Sequence, residues 1–202
     1  MLAALFVAPG APLEIHRVPD PQPGPAEIIL KVKACGICGT DLHVSDLNQP
    51  LGGMAPLSDG TVMGHEFSGE IVEIGPQIEK SWRVGDRVCS LPYIACGKCI
   101  PCLTGSGHRC SHVVYGGLGK LDGAYAEYVR VGSSESMLLP ESVTYHTGAL
   151  VEPLSVGLHA VNKGNLNTGN SVLIIGGGPV GLAVAIWCRF FGARHIIVSD
   201  FI

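Results

Sequence analysis

Apolar and polar residues alternate in short runs through the first two thirds of the chain, then shift to helical spacing near its end. Ile28 to Ala34 alternates directly after the Pro/Gly-rich turn at 19–25 and predicts a strand. Phe67 to Ile74 predicts another, closed by Gly75-Pro76, and Arg87 to Leu91 and Ala124 to Val131 follow the same pattern. Met1 to Val7 is apolar and leads into Pro9-Gly10, which reads as a first strand and its turn. Many short strands joined by long loops imply a β-rich, partly open barrel for residues 1 to about 145. After Thr147 the period changes. Leu150, Leu154, Leu158 and Val161 lie on one helical face, and that stretch ends at Gly164. Ser171 to Ile175 is a continuous apolar run suited to a buried parallel strand. A glycine turn, a helix over Leu182 to Phe191 and a second strand over His195 to Ser199 follow. No repeat or low-complexity tract interrupts this order.

Composition narrows the class. At 47% hydrophobic and 15% charged, the chain reads as a soluble globular protein rather than a disordered one. A net charge of −4 gives no electrostatic footprint for nucleic acid. The apolar runs break well short of the ~20 residues of a membrane span. The N-terminus lacks the basic start of a secretion signal. With eight cysteines and no such signal, a reducing cytoplasm is the expected location.

Four of those cysteines carry chemistry. Cys96, Cys99, Cys102 and Cys110 follow a C-x2-C-x2-C-x7-C spacing, close enough to share one partner. An iron–sulfur run would continue with a fourth cysteine three residues on, followed by proline, whereas Cys102 precedes Leu103-Thr104-Gly105. A nucleic-acid-binding zinc ribbon would separate its pairs by longer loops and carry more bases. The spacing therefore predicts a structural zinc held by four thiolates in a lobe at 96–110, folding a segment that lacks its own apolar core. Cys35, Cys89 and Cys188 are left as small buried hydrophobes.

A second metal site is suggested by Cys38-Gly39-Thr40-Asp41-Leu42-His43, just after a strand where a loop can present side chains, and by Gly64-His65-Glu66. Thiolate and imidazole suit zinc, and a catalytic zinc keeps one position open. Taken alone, His65 reads more readily as an ordinary buried histidine, and only Gly64 and Glu66 beside it shift that balance.

Together these motifs resemble the zinc-dependent medium-chain alcohol dehydrogenases, along essentially the whole chain. The resemblance implies an α/β two-domain protein. A GroES-like, β-rich catalytic domain would span 1–160, followed at 161–202 by the first βαβ unit of an incomplete Rossmann domain. It implies that Cys38 and His65 bind a catalytic zinc and that Asp41 orients the imidazole. Thr40 would take the substrate proton and His43 would pass it on. Val151-Glu152-Pro153 stands where many simple alcohol dehydrogenases have a second zinc cysteine. That departure resembles the polyol, threonine and butanediol branch, with Glu66 or Glu152 as the third ligand, and the choice between them stays open.

Gly176, Gly178 and Gly181 form Gly-x-Gly-x-x-Gly between the strand and the helix, with Pro179 and Val180 inside the motif. With Asp200 about 20 residues on, this context is a dinucleotide fingerprint. The glycines admit a pyrophosphate to the helix N-terminus, and Asp200 would hold an adenosine ribose and repel a 2′-phosphate, favouring NAD. The implied activity is oxidation of a secondary alcohol or polyol to a carbonyl, with one catalytic zinc, one structural zinc and NAD. The small-molecule substrate would be the main partner, with no nucleic acid or membrane, and the full-length form is expected to be a homo-oligomer. Because the chain stops at Ile202, two residues past Asp200 at the end of the second strand, the alternative is a truncated zinc-binding fragment without turnover of its own.

Overall fold

The structure is a computed structural model that describes residues 1–47, 56–78 and 81–201. It resolves into two compact units, Met1–Ala149 and Leu150–Ile202. The division therefore falls earlier than the expected boundary at 160/161. Helix α4 (Val151–Lys163) packs its apolar face within the second unit.

In the first unit Glu27–Cys35 forms strand β3, the longest strand of the main sheet, paired on both sides. Counting β1 (Leu2–Phe6), β2 (Glu14–Arg17) and β4 (Thr61–Val62), the remaining strands are β5 (Phe67–Ile74), β6 (Arg87–Ser90), β7 (Tyr93–Ile94), β8 (Val114–Tyr115), β9 (Tyr128–Gly132) and β10 (Ser136–Leu138). The main sheet is ordered β10-β6-β5-β3-β9 with every neighbouring pair antiparallel. Leu30 faces Ile71 on one side and Val129 on the other, and all three are buried with Ile28, Phe67, Val88 and Val131. Leu30 and Ile71 have no exposed surface, so Ile71→Ala is expected to cost about 2–5 kcal/mol. Helix α3 (Tyr145–Ala149) closes this unit. Ser68 Oγ donates to its first carbonyl at 2.5 Å, and Arg87 lies 4.6 Å over the Tyr145 ring while donating to the carbonyls of Pro140, Glu141 and Val143.

A smaller sheet, β2-β1-β4, carries the second apolar cluster. Phe6, Val44, Leu57 and Met63 pack together there, which ties helix α1 (Gly39–Leu47) down by Val44. That segment is a helix, not the expected loop. Its polar sequence leaves only Asp41 and Val44 buried, three residues apart on one face, so the apolar period is too sparse to read. The Ala124–Val131 run is also shorter as a strand than expected, because β9 begins at Tyr128. Gly123, Ala124 and Tyr125 instead donate to the carbonyls of Val62, Gly64 and Met63, holding that stretch against the segment before His65.

The second unit comprises α4, strand β11 (Ser171–Ile175), helix α5 (Pro179–Phe190) and strand β12 (His195–Ser199). The two strands pair in parallel with Val172 opposite Ile196 and Leu173 opposite Ile197. Helix α5 starts at Pro179, three positions before the expected Leu182, since Pro fits the first helical turn where its missing N–H is not needed. Val161, Cys188 and Ala193 form the core of this unit, and Trp187 Nε1 donates to the Leu154 carbonyl at 2.7 Å. Among the described residues no helix is long and apolar enough to cross a membrane.

Candidate metal centres and nucleotide loop

Three expected ligands converge in the first unit. Cys38 precedes α1, His65 and Glu66 precede β5, and one ligand atom from each lies within 4.8 Å of the other two. His65 and Glu66 are buried, and Cys38 is half-buried. Ligands about 2.0–2.3 Å from a tetrahedral zinc stand roughly 3.3–3.8 Å apart, so a small closure would bring all three onto one ion. A thiolate, an imidazole and a carboxylate are the donor types zinc accepts in such sites.

Asp41 organises the set. Its Oδ2 accepts the Cys38 backbone N–H at 2.9 Å and the Tyr125 hydroxyl at 2.9 Å. Its Oδ1 stands 3.2 Å from His65 Nδ1, and neither of those buried atoms has another partner among the described residues. With Nδ1 turned to a carboxylate, Nε2 is the nitrogen left for a metal. Burial alone would lower the His65 pKa, but the Asp41 carboxylate, followed by Cys38, outweighs it and raises His65 to about 9. Burial likewise pushes Asp41 up, and the hydrogen bond and charge of His65 bring it below the usual carboxylate range. Glu66 is raised, chiefly by burial, and Cys35 is pushed up to about 12 for the same reason, as an inert buried thiol would be.

Tyr125 escaped the sequence reading. Its ring lies over Gly64, whose φ of +93° and missing Cβ make room for it: an added Cβ would sit 2.6 Å from Tyr125 Cδ1. Thr40 and His43 are both half-buried on α1, and the Thr40 amide donates to Cys38 Sγ at 3.4 Å. Glu152 stands in the first turn of α4, in the second unit, and Ser155 Oγ donates to its carbonyl at 2.7 Å.

The four cysteines of the lobe also lie together. Helix α2 (Ile100–Leu103) and a 3-10 turn at Gly107–Arg109 lie between β7 and β8 and bring Cys96, Cys99, Cys102 and Cys110 within 4.8 Å of one another. The Cys99–Cys102 and Cys96–Cys102 sulfur pairs are 3.3 and 3.9 Å apart, near the roughly 3.8 Å edge of a zinc tetrathiolate. Cys110 Sγ accepts N–H groups from Cys96 and His112, and backbone N–H groups of Lys98 and Cys99 lower the Cys96 pKa to about 6. Ile100 and Leu103 point to solvent, and among the described residues α2 buries no side chain.

In the second unit, Gly176 to Gly178 link β11 to α5, with Gly178 as the residue before the helix and Gly181 in its first turn. Gly181 meets the Gly176 carbonyl so closely that a Cβ would lie 1.9 Å from its oxygen. The Asp200 carboxylate accepts the Gly177 N–H at 2.5 Å and the Phe201 N–H at 2.6 Å, bringing its charge to the loop.

Residues 24–141 match the alcohol dehydrogenase GroES-like domain. The chain belongs to the zinc-dependent medium-chain alcohol dehydrogenases. Among its relatives, sorbitol dehydrogenase of Bacillus subtilis is 37% identical over 188 residues, 93% of this chain and 52% of that protein. L-threonine 3-dehydrogenase of Coxiella burnetii is 37% identical over 200 residues, 99% of this chain and 56% of that protein. An alcohol dehydrogenase from Escherichia coli CFT073 complexed with NADH superposes with a TM-score of 0.86 at 32% identity, covering 100% of this chain and 57% of that one. The chain thus spans about half the length of the curated relatives it matches.

Proposed function

We propose that this chain carries the zinc and nucleotide sites of an NAD-dependent oxidoreductase that converts a secondary alcohol or polyol to a carbonyl. The observation that carries this reading is the convergence of Cys38, His65 and Glu66 with Asp41 fixed behind the imidazole. In this reading Cys38, His65 and Glu66 hold the catalytic zinc. The cysteines of the lobe hold a second, structural ion. Bound zinc supplies Lewis acidity, which brings a substrate hydroxyl within reach of deprotonation near neutral pH.

The chain's own residues do the rest. Thr40 accepts the hydroxyl proton through its side-chain oxygen, and His43, three residues along α1 and so on the same side of the helix, carries it onward. Gly176, Gly178, Pro179, Val180 and Gly181 let the NAD pyrophosphate approach the α5 N-terminus, where N–H groups and the helix dipole favour an anion. Asp200 accepts from the adenosine ribose, and its charge disfavours a 2′-phosphate. The sorbitol and threonine dehydrogenases among the relatives, together with a carboxylate in the ligand set, favour a substrate with a polar group beside the reacting hydroxyl.

Metal analysis of the purified chain tests this reading, with two zinc ions expected per chain. Cys38→Ser with His65→Ala is expected to remove one, and Cys96→Ser the other. A screen for NAD reduction over sorbitol, butanediol, threonine and ethanol then separates two readings. Turnover supports the oxidoreductase. Two bound zinc ions with no turnover favour a zinc-binding chain without activity of its own. A single bound zinc sinks the catalytic site.

A further inference from the structure

We infer that Tyr125 is a positioning residue for the Cys38–His65–Glu66 metal site, acting through Asp41; the inference rests on the function proposed above. The Tyr125 hydroxyl has two acceptors in reach, Asp41 Oδ2 at 2.9 Å and the Gly36 carbonyl at 3.2 Å. It has a single proton to give, and the shorter, charge-assisted bond is to the carboxylate. That bond fixes Oδ2 on the side of Tyr125 and Cys38, which turns Oδ1 toward His65 Nδ1. One carboxylate therefore couples three elements of the site: the turn before α1, the segment before β5 and the Gly123–Tyr125 stretch.

Two features show that the hydroxyl is placed rather than incidental. Backbone bonds from Gly123, Ala124 and Tyr125 to Val62, Gly64 and Met63 pin the stretch that carries it. Gly64, lacking a side chain at φ +93°, leaves room for the ring against the backbone next to His65. Without the hydroxyl, Asp41 Oδ2 keeps only the Cys38 amide, and the carboxylate is free to turn away from the imidazole. Partners of metal-bound histidine typically contribute 10- to 100-fold in affinity, and Tyr125 stands one bond further out, so the low end applies.

The test is Tyr125→Phe, which keeps the ring and removes only the oxygen. Zinc release to a chromophoric chelator is followed on the wild-type chain, and Cys38→Ser identifies which of the two phases belongs to this site. The expected result is about tenfold weaker binding in that phase, with the lobe phase and the circular dichroism unchanged. Asp41→Asn and the double variant complete a cycle. If Tyr125 acts through Asp41, its weakening effect is lost or reversed in the Asn background, where the same hydroxyl helps turn the amide NH2 toward His65, whereas a packing role for the hydroxyl would add in full. Unchanged or tighter zinc in Tyr125→Phe, or full additivity, overturns the inference while leaving the metal site intact. A wild-type chain with zinc only in the lobe overturns both this and the proposed function.

Discussion

Asp41 shows how much one buried carboxylate decides in this protein. Asn at this position keeps the shape but offers one oxygen where the carboxylate offered two. The Cys38 amide and the Tyr125 hydroxyl both donate, so the oxygen must face them and the NH2 group then points at His65. Imidazole Nδ1 must be unprotonated to accept from it, which moves the remaining proton to Nε2, the atom needed for metal. Asp41→Asn is therefore expected to weaken zinc at this site by about 10- to 100-fold and leave the lobe zinc alone, as measured by chelator competition. Unchanged affinity would mean that Asp41 does not set the tautomer. The candidate ligands were legible in the sequence because Cys38 and the Gly64-His65-Glu66 triplet are recognisable pieces of motif. Tyr125 was not, since its partner lies 84 positions away and a tyrosine among apolar residues reads as strand core.

At the scale of elements, strands with strong alternation were readable and those fixed by contacts at a distance were not. β5 falls on Phe67–Ile74 as expected, because alternation and the closing Gly75-Pro76 coincide with its ends. The short β4, β7, β8 and β10 have too few residues to show a period, and α1 is held by Val44 and Asp41 rather than by an apolar stripe. The lobe follows the same logic: its cysteine spacing is plain, while its fold has little else to hold it. Cys110 is its one buried cysteine, so Cys110→Ser is expected to release one zinc and open residues 93–115 to proteolysis, with the Cys38 site still loaded. Intact protease resistance there would show that the lobe folds without metal. The glycine loop makes the opposite kind of demand, for the absence of a side chain. Gly181→Ala sets a methyl 1.9 Å from the Gly176 carbonyl oxygen, so the loop must move off the α5 N-terminus. NAD binding by calorimetry is expected to be lost at unchanged zinc content, and retention would remove the loop from the cofactor site.

For the molecule as a whole, one face of the second unit's strand pair raises a question of solubility. In a parallel pair, alternate residues face opposite sides of the sheet. Val172, Ile174 and Ile196 turn toward α4 and α5, where Val172 and Ile196 pack on the unit's core. Leu173, Ile175 and Ile197 turn the other way and are 61%, 84% and 60% exposed. Leu173 and Ile197 are register partners, so the exposed groups form a contiguous patch rather than scattered residues. Parallel sheets are ordinarily covered on both faces, and contiguous apolar surface attracts hydrophobic dyes and other chains. The purified chain is therefore expected to bind an anilinonaphthalene dye while folded and to show concentration-dependent scattering. Leu173→Thr with Ile197→Thr should reduce both signals several-fold. Threonine keeps the branched shape a strand favours, so the far-ultraviolet dichroism should hold and exclude unfolding as the cause. Dye binding that survives this double substitution would place the exposed apolar surface elsewhere on the molecule.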